Sequence, residues 1–320
     1  MTPRFRGPRL RPLLVALAAQ VSAASCSRHA EPVLPAGAEA ISLLGDTLRP
    51  MPLSDATRAL YQSRLDSATR ATQANPRDPD ALIWLGRRTA YLGRYREAIG
   101  IFARGVEQFP DDARFLRHRG HRWLSVREFT RARDDLDRAA RLVRGKPDEV
   151  EPDGLPNARG VPTSTLQTNI WYHLALARYL LGDFPGAASA WDSCLRLSGN
   201  PDMEIASRYW LYLALRRAGR SGDAAAVLAP VRADLDIIEN RSYHRLLLVF
   251  KGALRSDSVM LAEGLDGATT NYGLGAWQLA EGNEAQAQYF FRRAMSGGQW
   301  PSFGYLAAEA DLARAGATRQ

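Results

Sequence analysis

Cysteine is nearly absent: Cys26 and Cys194 are the only two in 320 residues, too few for a disulfide framework. Lysine is as scarce, at Lys146 and Lys251, so the other 40 of the 42 basic residues are arginines. No apolar run reaches the ~20 residues that a membrane-crossing helix needs, which excludes a polytopic membrane protein. The chain also lacks a nucleophile elbow, a phosphate-binding glycine loop, a His-Glu zinc helix and paired cysteines, so no bond-making chemistry is legible. With 46% hydrophobic and 24% charged residues the composition is that of a folded chain, and disorder is excluded. The formal charge is +8, but Arg4, Arg6, Arg9 and Arg11 lie in a first stretch of 25 residues that holds no acid. Without them the balance is too small to read as a nucleic-acid footprint.

The first residues have their own order. Arg4 to Arg11 are cationic, Leu13 to Val21 form a short apolar stretch and Ser22 to Ser25 are small, the three parts of a secretory signal, so residues 1–25 are expected to be removed on export. Ala23-Ala24-Ser25-Cys26 resembles the lipobox of bacterial lipoproteins, which implies lipidation of Cys26 and a membrane anchor. Cleavage after Ala23 without lipidation is the alternative. Either way the expected place is the periplasm or the membrane surface facing it. Residues 26–53, with Pro32, Pro35, Pro50 and Pro52, read as a tether with one short helix at Glu39 to Leu44.

Beyond the tether the chain repeats itself. Gly86 and Gly120, Tyr95 and Phe129, Ala98 and Ala132, and Phe102 and Leu136 are each 34 residues apart. With Leu82, Leu85, Gly93 and Pro110 in the first unit, this spacing resembles the tetratricopeptide repeat (TPR) family. The resemblance implies an all-α, right-handed solenoid of helix-turn-helix units over residues 54–315. The units span about 79–112, 113–144, 168–201, 205–237, a shortened 238–265, and 268–299. A helix beginning at Ser54 and another over 300–315 should cap the ends, the latter covering the last apolar face with Phe303, Leu306, Ala310 and Leu312. Small residues such as Gly86 and Ala98 are expected where paired helices cross. Arg119 stands where a buried leucine is usual in the family.

One insertion, 145–167, breaks the period. Its prolines and glycines forbid a long helix, and its first half carries Asp148, Glu149, Glu151 and Asp153. Unit two carries ten arginines against four acids between Arg114 and Arg144, so the loop is expected to fold back onto that unit and screen its groove.

In the family the first helices of successive units line a concave surface that touches the ligand. The resemblance therefore implies a groove formed by Trp84 and Arg87, then Arg114, Arg117, His118 and His121, then Asn169, Tyr172 and His173, then Tyr209 and Trp210. Trp84, Tyr172 and Trp210 are the expected anchors, because exposed ion pairs contribute only ~0–1 kcal/mol each whereas aromatic anchors reach ~2 kcal/mol. The three histidines could hold zinc, but Arg114, Arg117 and Arg122 around them would repel a divalent cation, so no metal and no cofactor is expected. The function this implies is a non-catalytic protein–protein interaction scaffold of the bacterial cell envelope, with an acidic protein or peptide as partner. The alternative is polyanion or nucleic-acid binding by the arginine-rich second unit.

Overall fold

A computed structural model describes residues 33–260 and 262–317, together with positions 1 and 3. The expected signal segment, those two positions apart, and Cys26 lie outside the described residues. The chain divides into residues 1–33 and 34–320, and the architecture below is that of the second unit.

Two short strands, β1 (Ala40–Ile41) and β2 (Thr47–Leu48), pair antiparallel with Ala40 opposite Leu48. All other regular structure among the described residues is helical. It runs α1 (Asp55–Ala74), α2 (Pro79–Tyr91), α3 (Tyr95–Gln108), α4 (Ala113–Ser125), α5 (Phe129–Val143), α6 (Leu166–Leu180) and α7 (Phe184–Leu197). Then come α8 (Pro201–Arg217), α9 (Ser221–Leu228), α10 (Arg241–Phe250), a 3-10 turn (Ser256–Val259), α11 (Gly264–Ala280), α12 (Glu284–Ser296) and α13 (Phe303–Ala317). This is an all-α helical-repeat fold. The helix starts are written locally: Ser54, Asp78, Asp112 and Asn200 accept backbone N–H groups of the first turns, and Pro79 and Pro201 open their helices.

Paired helices cross at small residues. A side chain at Gly86 would strike the ring of Phe102, one at Gly120 would meet Leu136, and one at Gly275 would meet Phe291. Between paired helices the chain turns through a left-handed residue, glycine at 93, 182, 219 and 282, because a Cβ is costly there. The α4–α5 turn is the exception: Arg127 takes φ 68°, the one non-glycine residue with positive φ among the described residues.

Two expectations are corrected. Residues 34–53 are not a tether with a helix; they form the β1–β2 hairpin and lie against the repeats. Glu39 accepts the Arg96 backbone N–H at 2.8 Å, the Leu43 N–H reaches Glu309 at 2.6 Å, and Arg49 O accepts from the Trp300 indole at 2.8 Å. The alternation is only two residues long on each strand, which a Pro- and Ala-rich composition conceals. The second correction concerns α13. It covers α11 and α12 as expected, but it is more than an end cap: Gly304 through Asp311 are all buried, so this stretch is enclosed on every side, as a core helix is. It runs inside the array, packed on α11, α12 and α6. Its approach to α11 is so close that a side chain at Gly304 would lie 2.6 Å from Ala268 O.

Polar groups lock α13 in place. Arg127 reaches Glu309 and also donates to Trp300 O at 3.2 Å, while Trp300 meets Tyr95 edge-on at 5.4 Å. Asp311 receives Arg217 and Arg314, each at 2.7 Å, and lies 3.1 Å from the Tyr272 hydroxyl, itself 2.6 Å from that of Tyr179. Buried carboxylates of this kind need such partners to offset lost hydration.

Candidate functional site

The first helices α2, α4, α6 and α8 do turn one face toward a common inner surface, but the chain itself fills much of it. In the carboxyl-terminal half the filling is apolar. Phe303, at the start of α13, sits 5.7 Å from the ring of His121, 5.9 Å from Tyr172 and 5.6 Å from His173. Trp210 is fully buried and stacks on Trp191 at 5.5 Å, and Tyr209, equally buried, stacks on Tyr243 at 4.4 Å. Tyr172, Tyr209 and Trp210 are therefore core residues rather than ligand anchors, a correction to the expected groove. Aromatic burial of this extent stabilises by roughly 1.5–3 kcal/mol per side chain, too much to be left free for a partner.

His118 and His173 are also interior, with His121 half-buried beside them. His121 and His173 bring their rings within 4.2 Å, and burial, reinforced by Arg117 and Arg122, holds the pKa of each well below the usual histidine range. His118 stacks on Phe102 at 5.3 Å, and burial followed by the charge of Arg117 depresses it likewise. As a neutral ring it accepts Arg117 Nη1 at Nδ1, 3.0 Å away. Among the described residues no group of three or more His, Cys, Asp or Glu side chains is placed to share a metal ion.

The amino-terminal half has a different occupant, the 145–167 loop. Glu151 descends between α4 and α6: its carboxylate lies 2.9 Å from Arg117 Nε, 3.8 Å from His118 Nε2 and accepts Asn169 Nδ2 at 3.2 Å. Only 9% of the Arg117 side chain and 10% of the Glu151 side chain is exposed, so the pair is effectively out of water. Burial lowers the Arg117 pKa, and Glu151 opposes that shift. The next residues follow the groove outward, Pro152 O accepting Arg87 Nη1 at 2.7 Å and Gly154 O accepting Arg88 Nη1 at 3.1 Å. Both guanidiniums flank the Trp84 ring, at 4.3 and 4.5 Å from its centroid. Trp84 thus orients the two arginines that hold the loop backbone.

Beyond Gly154 the loop crosses to the far side, where Arg159 pairs with Asp236 at 2.8 Å and Thr163 donates to Glu239 at 2.6 Å. Its apolar side chains Val150, Leu155 and Val161 remain exposed. The loop is therefore held mainly by polar contacts, each worth about 0.5–1.5 kcal/mol net and somewhat more where charged. Its hold is weaker in kind than that of α13.

Of the expected groove residues, the structure gathers Trp84, Arg87, Arg114 and His118 around a cavity of about 260 Å³, walled also by Asp80, Ile83, Leu166 and the loop residues Glu149 to Pro152. Arg114 is steered there by Asp80 and Asp112, each at 2.6 Å, whose hydrogen bonds raise its pKa. A second hollow, of about 280 Å³, opens where His121, Tyr243, Asp266 and Phe303 meet. Sequence reasoning missed Arg88, Tyr91, Gly154 and the Arg127–Glu309 pair. Arg127 was findable, since it falls 34 residues after Gly93 at a place that otherwise takes glycine. Arg119, the departure from leucine, grips Asp135 with two 2.7 Å bonds, and the Trp123 indole donates to the same carboxylate at 3.1 Å.

No protein-family model matches the chain, and no curated protein matches it in sequence. Solved structures similar to it include YrrB, described as a TPR protein with an unusual peptide-binding site, at 14% identity over 78% of this chain and 99% of that one, TM-score 0.43. A tetratricopeptide repeat protein from Parabacteroides merdae is 16% identical over 79% of this chain and 93% of that one, TM-score 0.46. MamA is 18% identical over 55% and 91%, TM-score 0.41.

Proposed function

We propose that the protein is a non-catalytic interaction scaffold that receives an extended, acidic segment of another protein in the amino-terminal half of its inner surface. The observation that carries this reading is the seating of Glu151: a carboxylate, followed by two backbone carbonyls, already lies along Arg117, Asn169, Arg87 and Arg88. Charge-assisted bonds of this kind give both affinity and register. The cavity beside them, walled by Trp84 and Arg114, adds room for one further side chain of the partner.

The proposal includes export and a lipid anchor at Cys26, supported by the order of residues 4–26. Partners are then proteins of the bacterial cell envelope, on the membrane face that bears the anchor. Polyanion binding by the second unit is the weaker reading, because its arginines are largely committed: Arg114 to Asp80 and Asp112, Arg117 to Glu151, Arg119 to Asp135, Arg127 to Glu309 and Arg133 to Asp134.

Fluorescein-labelled decapeptides that place one glutamate among prolyl and apolar residues, with lysine in its place as the control, test the reading by anisotropy. The glutamate peptides should bind at least tenfold more tightly, and Arg87→Ala and Trp84→Ala should each weaken them. Indifference to the glutamate–lysine exchange, or to both substitutions, overturns it.

A further inference from the structure

The inner surface has two internal occupants, and they differ in how they are held. Helix α13 is buried from Gly304 to Asp311 and held by both apolar packing and buried ion pairs, whereas the 145–167 loop keeps Val150, Leu155 and Val161 in water and reaches the groove with polar atoms. Yet the seat beneath the loop is built to fit. Arg117 is buried and ion-paired to Glu151, with Nε 2.9 Å from the carboxylate but out of line for a straight hydrogen bond. Asn169 divides its amide between Glu151 and Ser164, at 3.2 and 3.0 Å. Gly154 lies so tightly on Tyr91 that any side chain there would collide with the phenol oxygen. The segment is anchored just before this point by the Val150–Thr165 bridge and by Leu166 N–H donating to Glu149 O at 2.8 Å.

A buried arginine paired off-line with a tethered carboxylate is a receptor holding an imperfect ligand. We infer that residues 149–154 are a resident, displaceable occupant of a carboxylate-binding seat formed by Arg117, Asn169, Arg87 and Arg88, and that an acidic extended segment of the partner takes this seat by expelling the loop. The inference rests on the groove reading above and specifies its regulation. The apparent affinity of a partner is then reduced by the fraction of molecules whose seat is already filled. A tethered occupant competes at an effective concentration near millimolar, so only a segment that fills the Arg117 site better, or that adds contacts in the Trp84–Arg114 cavity, can win.

The probe is a synthetic peptide copying residues 147–156, added in trans to the full chain. Wild-type protein should bind it at least tenfold more weakly than Glu151→Ala, in which the resident carboxylate is gone. Gly154→Ala, whose methyl crowds Tyr91 and Arg87 and so lifts the loop while leaving every side chain of the seat in place, should likewise bind it more tightly, and it preserves the test should Glu151→Ala lose its fold by circular dichroism. In wild type, saturating peptide should raise the rate of proteolysis within 147–160. Equal affinity in wild type and both variants, with the loop still protected when peptide is bound, overturns displacement; if that binding still depends on Arg87 and Trp84, the groove reading survives. Binding to none of the three folded proteins overturns the seat and, with the decapeptides also silent, the groove reading too.

Discussion

Arg127 Nη2 and Glu309 Oε2 lie 2.5 Å apart across 182 residues of chain, and the two side chains are 3% and 0% exposed. Every comparable turn that has a left-handed residue here uses glycine, so the second unit accepts backbone strain in order to place this guanidinium. Breaking a buried pair by removing one partner costs about 3–5 kcal/mol, whereas relieving a left-handed backbone returns about 1–2 kcal/mol. Arg127→Gly should therefore lose roughly 2–3 kcal/mol in urea unfolding. An Arg127→Gly chain at least as stable as wild type would sink this account of the turn.

Trp210 and Trp84 separate core from site. Trp210→Ala removes a fully buried ring stacked on Trp191 and should cost about 3–5 kcal/mol. Trp84→Ala removes a half-buried ring flanked by two guanidiniums and should cost far less stability while weakening glutamate-peptide binding several-fold. Thermal unfolding and anisotropy on both variants decide it, and the assignment fails if Trp210→Ala melts like wild type.

Acid should loosen the interior through its histidines. His118, His121 and His173 all have pKa values pressed well below 6.5 by burial, so each is neutral when folded and takes up a proton on unfolding. The unfolded chain then binds more protons, and the stability these groups contribute is complete above ~6.5 and drains away as pH falls below it. Tm should drop between pH 7 and pH 5, and less steeply in His121→Gln/His173→Gln. Parallel pH profiles for the two proteins would contradict this.

Cys194 should be inert in the folded protein. Its thiol is buried beside Ser207, which donates to Sγ at 3.2 Å, and burial pushes its pKa up to about 12. Mass mapping after iodoacetamide at pH 8 should find Cys194 unmodified until urea unfolds the chain. Rapid native labelling at that residue would show that α7 opens locally.

What could be read in advance was local. The 34-residue period marks Gly86 and Ala98 as small residues at a helix crossing, and the structure sets Phe102 against Gly86 and Leu136 against Gly120, because a helix crossing has a fixed geometry along the chain. The acidic half of the insertion pointed to the arginines of the second unit, and Glu151 is where the two meet. The path of α13 was hidden. Phe303, Leu306, Ala310 and Leu312 make a plausible cap stripe, while the signs of an interior helix are Glu309 and Asp311, acids whose arginine partners lie 182 and 94 residues away. No periodicity reports such pairs. The burial of Tyr172, Tyr209 and Trp210 is hidden for the same reason, since their places face a ligand only where the inner surface is open.

The position of α13 changes what kind of array this is. A stack that relies on neighbour-to-neighbour contacts can gain or lose units at its ends, and can begin to order as soon as two of them leave the ribosome. Here Tyr95, Arg127, His173 and Leu180 each find a partner between Trp300 and Arg314. The earliest units to be synthesised therefore stay incomplete until α13 has followed them, which ties their stability to a segment 182 residues further along the chain.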